Sequence, residues 1–299
     1  MRIAITGANG LIGAHLTQHF ARSGHELTLI LRQSISTIHH QSIWNPFAGE
    51  ITAADLEGQD VVINLAGKNV GAGRWTERIK REILSSRILS TELIAKTIAK
   101  CQSKPRLLIN ASAIGFYGNR PGETLTEMSP PGRGFMAEAC QKWEQASQAA
   151  LAAGIRVVIP RIGVVLARTG GALDRMLPLF RSGLGGKLGS GKQIWSWIAL
   201  PEIASAFDHI IATATLSGAV NLTTPNPVSN ELFTELLAKA VRRPAFFAVP
   251  EFALKLAMGE MAQVVLDSAN VMPQRLLDSG YKFKYPGLPE ALFAVLSED

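Results

Sequence analysis

The stretch Arg2-Ile-Ala-Ile-Thr-Gly7-Ala-Asn-Gly10-Leu-Ile-Gly13 decides the fold. It opens as a short apolar run, and three glycines follow at GxxGxxG spacing. From Leu11 to Ser23 apolar residues recur at 11, 12, 16 and 20, the spacing of a helix that buries one face. A second apolar run, Glu26-Leu-Thr-Leu-Ile-Leu31, completes a unit of strand, glycine turn, helix and strand. Glycines at that turn permit a tight bend, close approach of a pyrophosphate to the backbone, and close packing of helix on strand. The phosphates then lie against N–H groups at the helix N-terminus. Gly7, Asn9, Gly10, Leu11, Ile12 and Gly13 are therefore the first candidate cofactor-binding residues.

Further apolar runs follow at Val61–Leu65, Leu107–Ala111 and Val157–Arg161, separated by helical patterns at about 76–100 and 136–152. Strands that are apolar throughout and alternate with helices predict an α/β fold: a Rossmann-type, doubly wound parallel sheet covered on both faces. After Gly163 the character changes. A glycine-rich segment, Gly183 to Lys192, leads into Ile194-Trp-Ser-Trp-Ile198, and from 229 onward helical patterns are punctuated by Pro at 244, 250, 273, 286 and 289. We expect a dinucleotide-binding domain over 1–165, with returning segments around 194–222, and a smaller, mostly helical substrate or cap region over 166–299.

The 299 residues are 47% hydrophobic and 18% charged, which excludes disordered, collagenous and disulfide-stapled classes. Cys101 and Cys140 show no CxxC or Cys/His ligand spacing, so a metal site is not expected and a reducing compartment is. The chain shows neither a signal-peptide pattern nor an uninterrupted apolar run of roughly 18 residues. A cytoplasmic chain without a membrane partner is the expectation. Lys and Arg number 30 against 24 Asp and Glu, a net charge of +6. Only 3 Tyr and no nucleic-acid motif accompany that surplus, so a phosphate-rich small ligand explains it better than nucleic acid does. The densest basic stretch, Arg74 to Arg87, reads as a solvated helix face with Glu77 and Glu82 as i,i+4 partners.

The second strand ends in Leu31-Arg32-Gln33. An acid at this point would hold the 2′-hydroxyl of NAD, whereas Arg32 suits the 2′-phosphate of NADP. His39 and His40 read as loop residues. The small residues of Asn64-Leu65-Ala66-Gly67 let the backbone approach a cofactor, and they serve a simple strand-end turn equally well.

Together, Thr6 to Gly13, Asn64 to Gly67 and Ala111-Ser-Ala-Ile-Gly-Phe-Tyr-Gly118 resemble the extended short-chain dehydrogenase/reductases, the group of nucleotide-sugar epimerases and dehydratases. Arg74-Trp75, Ser86-Arg87, Gly163 to Leu166, Gly183 to Gly186, Gly189-Ser-Gly191, Gln193 and Trp197-Ile198 narrow this to a resemblance to the YfcH-type epimerase family proteins, an atypical branch with a C-terminal helical domain. The resemblance spans nearly the whole chain. It implies NADP(H) held by the glycine loop, Arg32, Leu65 and Ala66, and by Glu82 and Arg87 on the helix after the third apolar run.

The same resemblance exposes a departure. Such enzymes normally carry a Tyr that moves a proton and a Lys four residues on that lowers the Tyr pKa. Placing Glu144 at the acid that usually follows puts Cys140 at the Lys position and Met136 at the Tyr position. Ser112 then stands as a substrate or cofactor contact, and Tyr117 as a pocket aromatic or substitute acid. The loop 183–191 with Lys192, Gln193 and Trp197 lies where the larger family closes over its substrate, as cradle for an anionic or sugar-like small molecule. Ala199 and Glu202 stand where related sequences show His and Asp. Two functions follow: an NADP-dependent oxidoreductase or epimerase with a non-standard proton donor, or a non-catalytic NADP(H)-binding redox sensor. A monomer or a homodimer through the helices near 76–100 and 136–152 is compatible with either.

Overall fold

Residues 1–297 are described by a computed structural model. The apolar runs become β1 (Arg2–Thr6), β2 (Glu26–Leu31), β4 (Val61–Asn64), β5 (Leu107–Asn110) and β6 (Arg156–Ile162), joined by β3 (His40–Ile43) and β7 (Gly218–Leu222). They lie in the order β3-β2-β1-β4-β5-β6-β7 with every pairing parallel. Ile3, Ile5, Val61, Ile63, Leu107 and Ile109 are fully buried, as a sheet covered on both faces requires. A two-residue strand, Ser112–Ala113, extends beyond β5 and pairs with β6. Strand order reverses at β1, which has β2 on one side and β4 on the other, and a crevice opens there at the carboxyl edge.

One expectation is corrected at the sheet margin. His40 is not a loop residue but opens β3, an edge strand in which only Ser42 is buried. A strand with a single neighbour needs little apolar surface, so no apolar run marks it in the sequence.

Helix α1 (Leu11–Arg22) buries Leu16 and Phe20, and α2 (Glu77–Lys100) starts at Thr76, whose hydroxyl accepts from Ile79 N at 3.3 Å. The expected helix over 136–152 divides into α3 (Phe135–Gln145) and a short helix Gln148–Ala152. At the break the Ser147 hydroxyl donates to the Glu144 carbonyl at 2.7 Å, a local bond that competes with helix continuation.

After β6 the chain leaves the sheet and comes back. Val164–Leu166 pairs in parallel with Trp197–Ala199, and between them lies α4 (Gly171–Arg181). Helix α5 (Leu200–Ala212) then returns to pack against α1, with His19 and Asp208 in contact at 2.7 Å, and β7 completes the sheet. A second core forms outside the sheet, around Leu173, Phe180, Trp195, Trp197, Phe233 and Leu292. It joins α4, α6 (Asn230–Ala240) and the closing helix Leu288–Ser297. This cap is mostly helical, with short strand pairs between Gly186–Leu188 and Phe247–Val249 (parallel) and between Ile194–Trp195 and Val228–Ser229 (antiparallel), while Ala269–Val271 pairs in parallel with Arg120–Leu125. No helix of the described residues is long and apolar enough to cross a membrane.

Candidate functional site: a groove at the carboxyl edge of the sheet

A groove of about 920 Å³ opens at the carboxyl ends of β1, β2 and β4. Gly7 holds the left-handed φ of +68°, and a Cβ there would lie 2.8 Å from the Leu65 carbonyl oxygen. A Cβ on Gly13 would come within 2.1 Å of the Gly7 carbonyl, so helix and turn can pack only on glycine. Helix α1 begins at Gly10 with no side-chain cap and no acid in its first turn. Its leading N–H groups are therefore unspent and its positive dipole end faces the groove.

The floor is pinned from β1. The Thr6 hydroxyl donates to Asn64 Oδ1 at 2.6 Å and accepts from Leu65 N and Ala66 N, each at 3.1 Å. Asn64 Nδ2 in turn donates to Asn110 Oδ1 at 2.7 Å and Thr91 Oγ1 at 2.9 Å, and Trp143 Nε1 donates to the same threonine at 3.1 Å. Thr91 and Asn110 escaped the sequence reading. The available signal was the pair of asparagines ending two neighbouring apolar runs, since a buried amide survives only with partners.

Leu65, Ala66 and Gly67 line the groove with Glu82 and Arg32. A Cβ on Gly67 would lie 3.3 Å from the Arg87 guanidinium carbon, so this glycine makes room for Arg87 as well as for a ligand. Arg87 Nη1 donates to the carbonyls of Lys68 and Ile83, each at 3.0 Å, and the guanidinium stands 4.8 Å from the Trp143 ring centroid. Its Nε is buried without a partner, and burial holds its pKa below the usual arginine value. Glu82 accepts from Lys68 Nζ at 2.5 Å and from Arg78 at 3.3 Å, and the lysine holds its carboxyl below the ordinary range. Arg32 is exposed on the groove wall and has no hydrogen-bond or ion-pair partner among the described residues. Free helix N–H groups and a partnerless arginine suit the phosphates and hydroxyls of a dinucleotide, whereas Arg87 packs behind Gly67 and does not itself line the groove.

Beyond the groove floor a buried chain of polar groups surrounds Arg161. Ser112 Oγ donates to Glu144 Oε1 at 2.7 Å, and Arg161 grips the same carboxylate with Nε and Nη2, both at 2.9 Å. Arg161 Nη1 donates to the Tyr117 hydroxyl at 3.0 Å, which donates to Asn221 Oδ1 at 2.6 Å. The guanidinium also lies 3.4 Å from the Phe116 ring centroid. Tyr117 is fully buried, and burial raises its pKa. Its ring therefore borders no open site. Arg161 was missed because it looks like the end of an apolar run; a charge closing such a run, ahead of Gly163, was the usable signal.

Met136 packs against Gly115, and Cys140 is buried beside Ser112 and Glu144. Burial, reinforced by Glu144, pushes the Cys140 thiol up to about 11. Met136 has no ionisable group, and Cys140 rests as a neutral thiol.

The three residues assigned to the substrate loop are not brought to the groove. Gln193 is buried and donates from Nε2 to the carbonyls of Leu188 at 2.9 Å and Val265 at 3.2 Å. Trp197 is fully buried in the cap core, its indole N–H on the Asn226 carbonyl at 3.2 Å, so no ring face is available for stacking. Lys192 is exposed but does not line the groove. The glycines of this loop have an internal reason. A Cβ on Gly186 would lie 2.0 Å from the Phe247 carbonyl oxygen, and one on Gly185 would lie 2.6 Å from the Phe180 ring.

Residues 3–222 match the NAD dependent epimerase/dehydratase family, and residues 249–295 match a domain of unknown function, DUF1731. An epimerase family protein of Mycobacterium bovis, Mb2239, is 40% identical over 97% of this chain and 96% of its own length. The Bacillus subtilis epimerase family protein YfhF is 37% identical over 100% of this chain and 99% of its own. Among solved structures, human epimerase family protein SDR39U1, isoform 2, crystallised with NADPH, superposes with a TM-score of 0.90 at 32% identity and covers 99% of both chains.

Proposed function

Because the chain belongs to the NAD-dependent epimerase/dehydratase family, we propose that it binds NADP(H) in the groove at the carboxyl edge and acts as an atypical oxidoreductase or nucleotide-sugar epimerase. The observation that carries the cofactor choice is Arg32. An exposed guanidinium with no partner, at the end of β2, offers a bidentate contact to a 2′-phosphate where an acid would repel it. NADPH in the crystals of human SDR39U1 supports the same choice.

In this reading the N–H groups at the start of α1, with Gly7, Asn9, Gly10, Leu11, Ile12 and Gly13 around them, hold the pyrophosphate. Leu65, Ala66 and Gly67 press the cofactor from β4, Glu82 holds its far end from α2, and Arg87 acts from behind Gly67. Bound NADP(H) supplies hydride chemistry at the nicotinamide. Ser112, 2% exposed and with its proton given to Glu144, offers a substrate hydroxyl only an acceptor lone pair. Tyr117 acts at one remove, holding Arg161, which holds Glu144. With Met136 lacking an ionisable group and Cys140 buried as a neutral thiol, water or a substrate group takes that step.

A second reading, a non-catalytic NADP(H)-binding sensor, draws on the same two residues, because a complete dinucleotide cradle is retained beside a proton-transfer position filled by Met136 and Cys140. Affinity and turnover separate the possibilities. Wild type should bind NADPH at least ten-fold more tightly than NADH, and Arg32→Ala should erase that preference, a loss of about 1.5–3 kcal/mol for a charge-assisted contact. Equal affinity of wild type for the two cofactors refutes the Arg32 reading. Tight NADPH binding with no turnover across nucleotide-sugar substrates favours the sensor.

A further inference from the structure

A second cavity, of about 550 Å³, lies outside the cofactor groove on the outer face of the cap. It falls between α6 and the segment that runs into Phe247–Val249. Its wall is largely apolar, with Ala238, Phe246 and Phe247 among the lining residues, and Phe246 is 87% exposed. The charges around it do not cancel. Lys187 pairs with Glu231 at 2.8 Å and Lys239 with Glu235 at 2.6 Å, which leaves Arg242 and Arg243 without a carboxylate. Arg243 spends only its Nε, on the Arg181 carbonyl at 3.2 Å, and Arg242 has no side-chain partner among the described residues.

Two further observations mark the place. Thr234 is 5% exposed, lines the cavity, and its hydroxyl has no hydrogen-bond partner. A buried hydroxyl in that state destabilises the fold unless something in the cavity bonds it. Arg242 is the only non-glycine among the described residues with a positive φ, 55°. It ends α6 in a Schellman turn, with Arg242 N on the Lys239 carbonyl at 3.1 Å and Arg243 N on the Ala238 carbonyl at 3.0 Å. Glycine is the unstrained residue at that position, so the chain keeps a guanidinium there against a conformational penalty.

We propose that this cavity is a binding site for a small amphipathic anion: an apolar body against Ala238, Phe246 and Phe247, an acidic head on Arg242 and Arg243, and a polar atom on Thr234. The volume fits a small-molecule site, and the pattern of an apolar wall with a few convergent polar groups is that of ligand pockets generally. The site is independent of the cofactor reading, because it shares no residue with the groove.

The test uses 8-anilinonaphthalene-1-sulfonate, an aromatic body with one anionic head, read by fluorescence on the whole chain with NADPH at saturation to block the groove. Wild type should bind the probe with single-site stoichiometry, and decanoate should displace it while equimolar inorganic phosphate does not. Arg242→Gly should weaken the probe at least ten-fold while raising Tm, because it installs the favoured turn residue. Thr234→Val should weaken it several-fold with Tm unchanged or higher. Absence of NADPH-resistant binding overturns the proposal. So does an Arg242→Gly protein that keeps wild-type affinity, which makes the arginine a surface charge, or displacement by phosphate as readily as by decanoate, which removes the apolar half of the site.

Discussion

Two glycine-rich segments, 7–13 at the sheet edge and 183–191 in the cap, look alike in sequence and differ in what their backbones do. In the first, Gly7 and Gly13 let β1, β4 and α1 come together, but the turn ends in a helix whose first N–H groups have no side-chain cap. In the second, the backbone groups are spent internally. Gly189 N donates to Val249 O at 2.8 Å, Gly191 N to Leu188 O at 3.1 Å, and Gly191 O accepts from Glu231 N at 2.9 Å. Leu188 N is taken by Asn230 Oδ1 at 2.8 Å. Glycine thus reports close approach in both segments, and only the unsatisfied donors of the first leave a place for a ligand.

The strongest way to break this comparison is Gly186→Ala. The added methyl would stand 2.0 Å from the Phe247 carbonyl, a backbone atom that cannot swing aside, so the pair Gly186–Leu188 with Phe247–Val249 must part. A loss of about 3 kcal/mol is expected, the upper end for overpacking, read by thermal unfolding and by earlier proteolysis within the cap. NADPH affinity measured well below the transition should stay unchanged. A ten-fold loss of affinity would instead make the cap loop part of the cofactor site.

The reverse experiment is Gly10→Asp. Aspartate is a favoured N-cap, and a Cβ at this position meets nothing closer than the Gly7 carbonyl at 3.2 Å. Tm should hold or rise. The new carboxylate, however, takes the N–H groups proposed for the pyrophosphate and repels its charge, so NADPH should weaken by roughly 100-fold, about 2.7 kcal/mol by titration. Retained affinity would remove the glycine turn from the binding site.

What could be read from the sequence follows the same division. The strands β1, β2, β4, β5 and β6 were legible because each is buried on both faces and so is apolar throughout, and the groove followed from the glycines between β1 and α1. Edge strand β3 was not legible, since three of its four residues are solvent-facing or half-buried. The cap misled for a related reason. Trp195, Trp197 and Gln193 look like a stacking platform with an amide beside it, and they are buried by residues about thirty to seventy positions further on, including Val265, Asn226 and Ala269 through Ser196. No local pattern encodes such a partner. Arg161, Glu144 and Tyr117 were separable as residues but not as a chain of hydrogen bonds, because the bonds exist only once β6 lies beside the strand extension Ser112–Ala113.

The smallest effect separates strain from close approach. Gly24 ends α1 at a φ of +75° in a Schellman turn, with His25 N on the Phe20 carbonyl at 3.0 Å, and a Cβ there would meet nothing within 4 Å. Gly24→Ala therefore adds only the left-handed penalty of about 1 kcal/mol, a Tm decrease of roughly 2–4 °C for a chain of this size. NADPH affinity should not change, because the turn lies at the far end of α1 from the groove. Gly186 has no left-handed φ, so its substitution reads the 2.0 Å approach alone; if Gly24→Ala destabilises as much as Gly186→Ala, that approach costs no more than a φ penalty and the steric account of the cap loop fails. If it destabilises by about a third as much, the left-handed penalty is the smaller of the two costs, and position 186 is glycine for the space the Phe247 strand occupies.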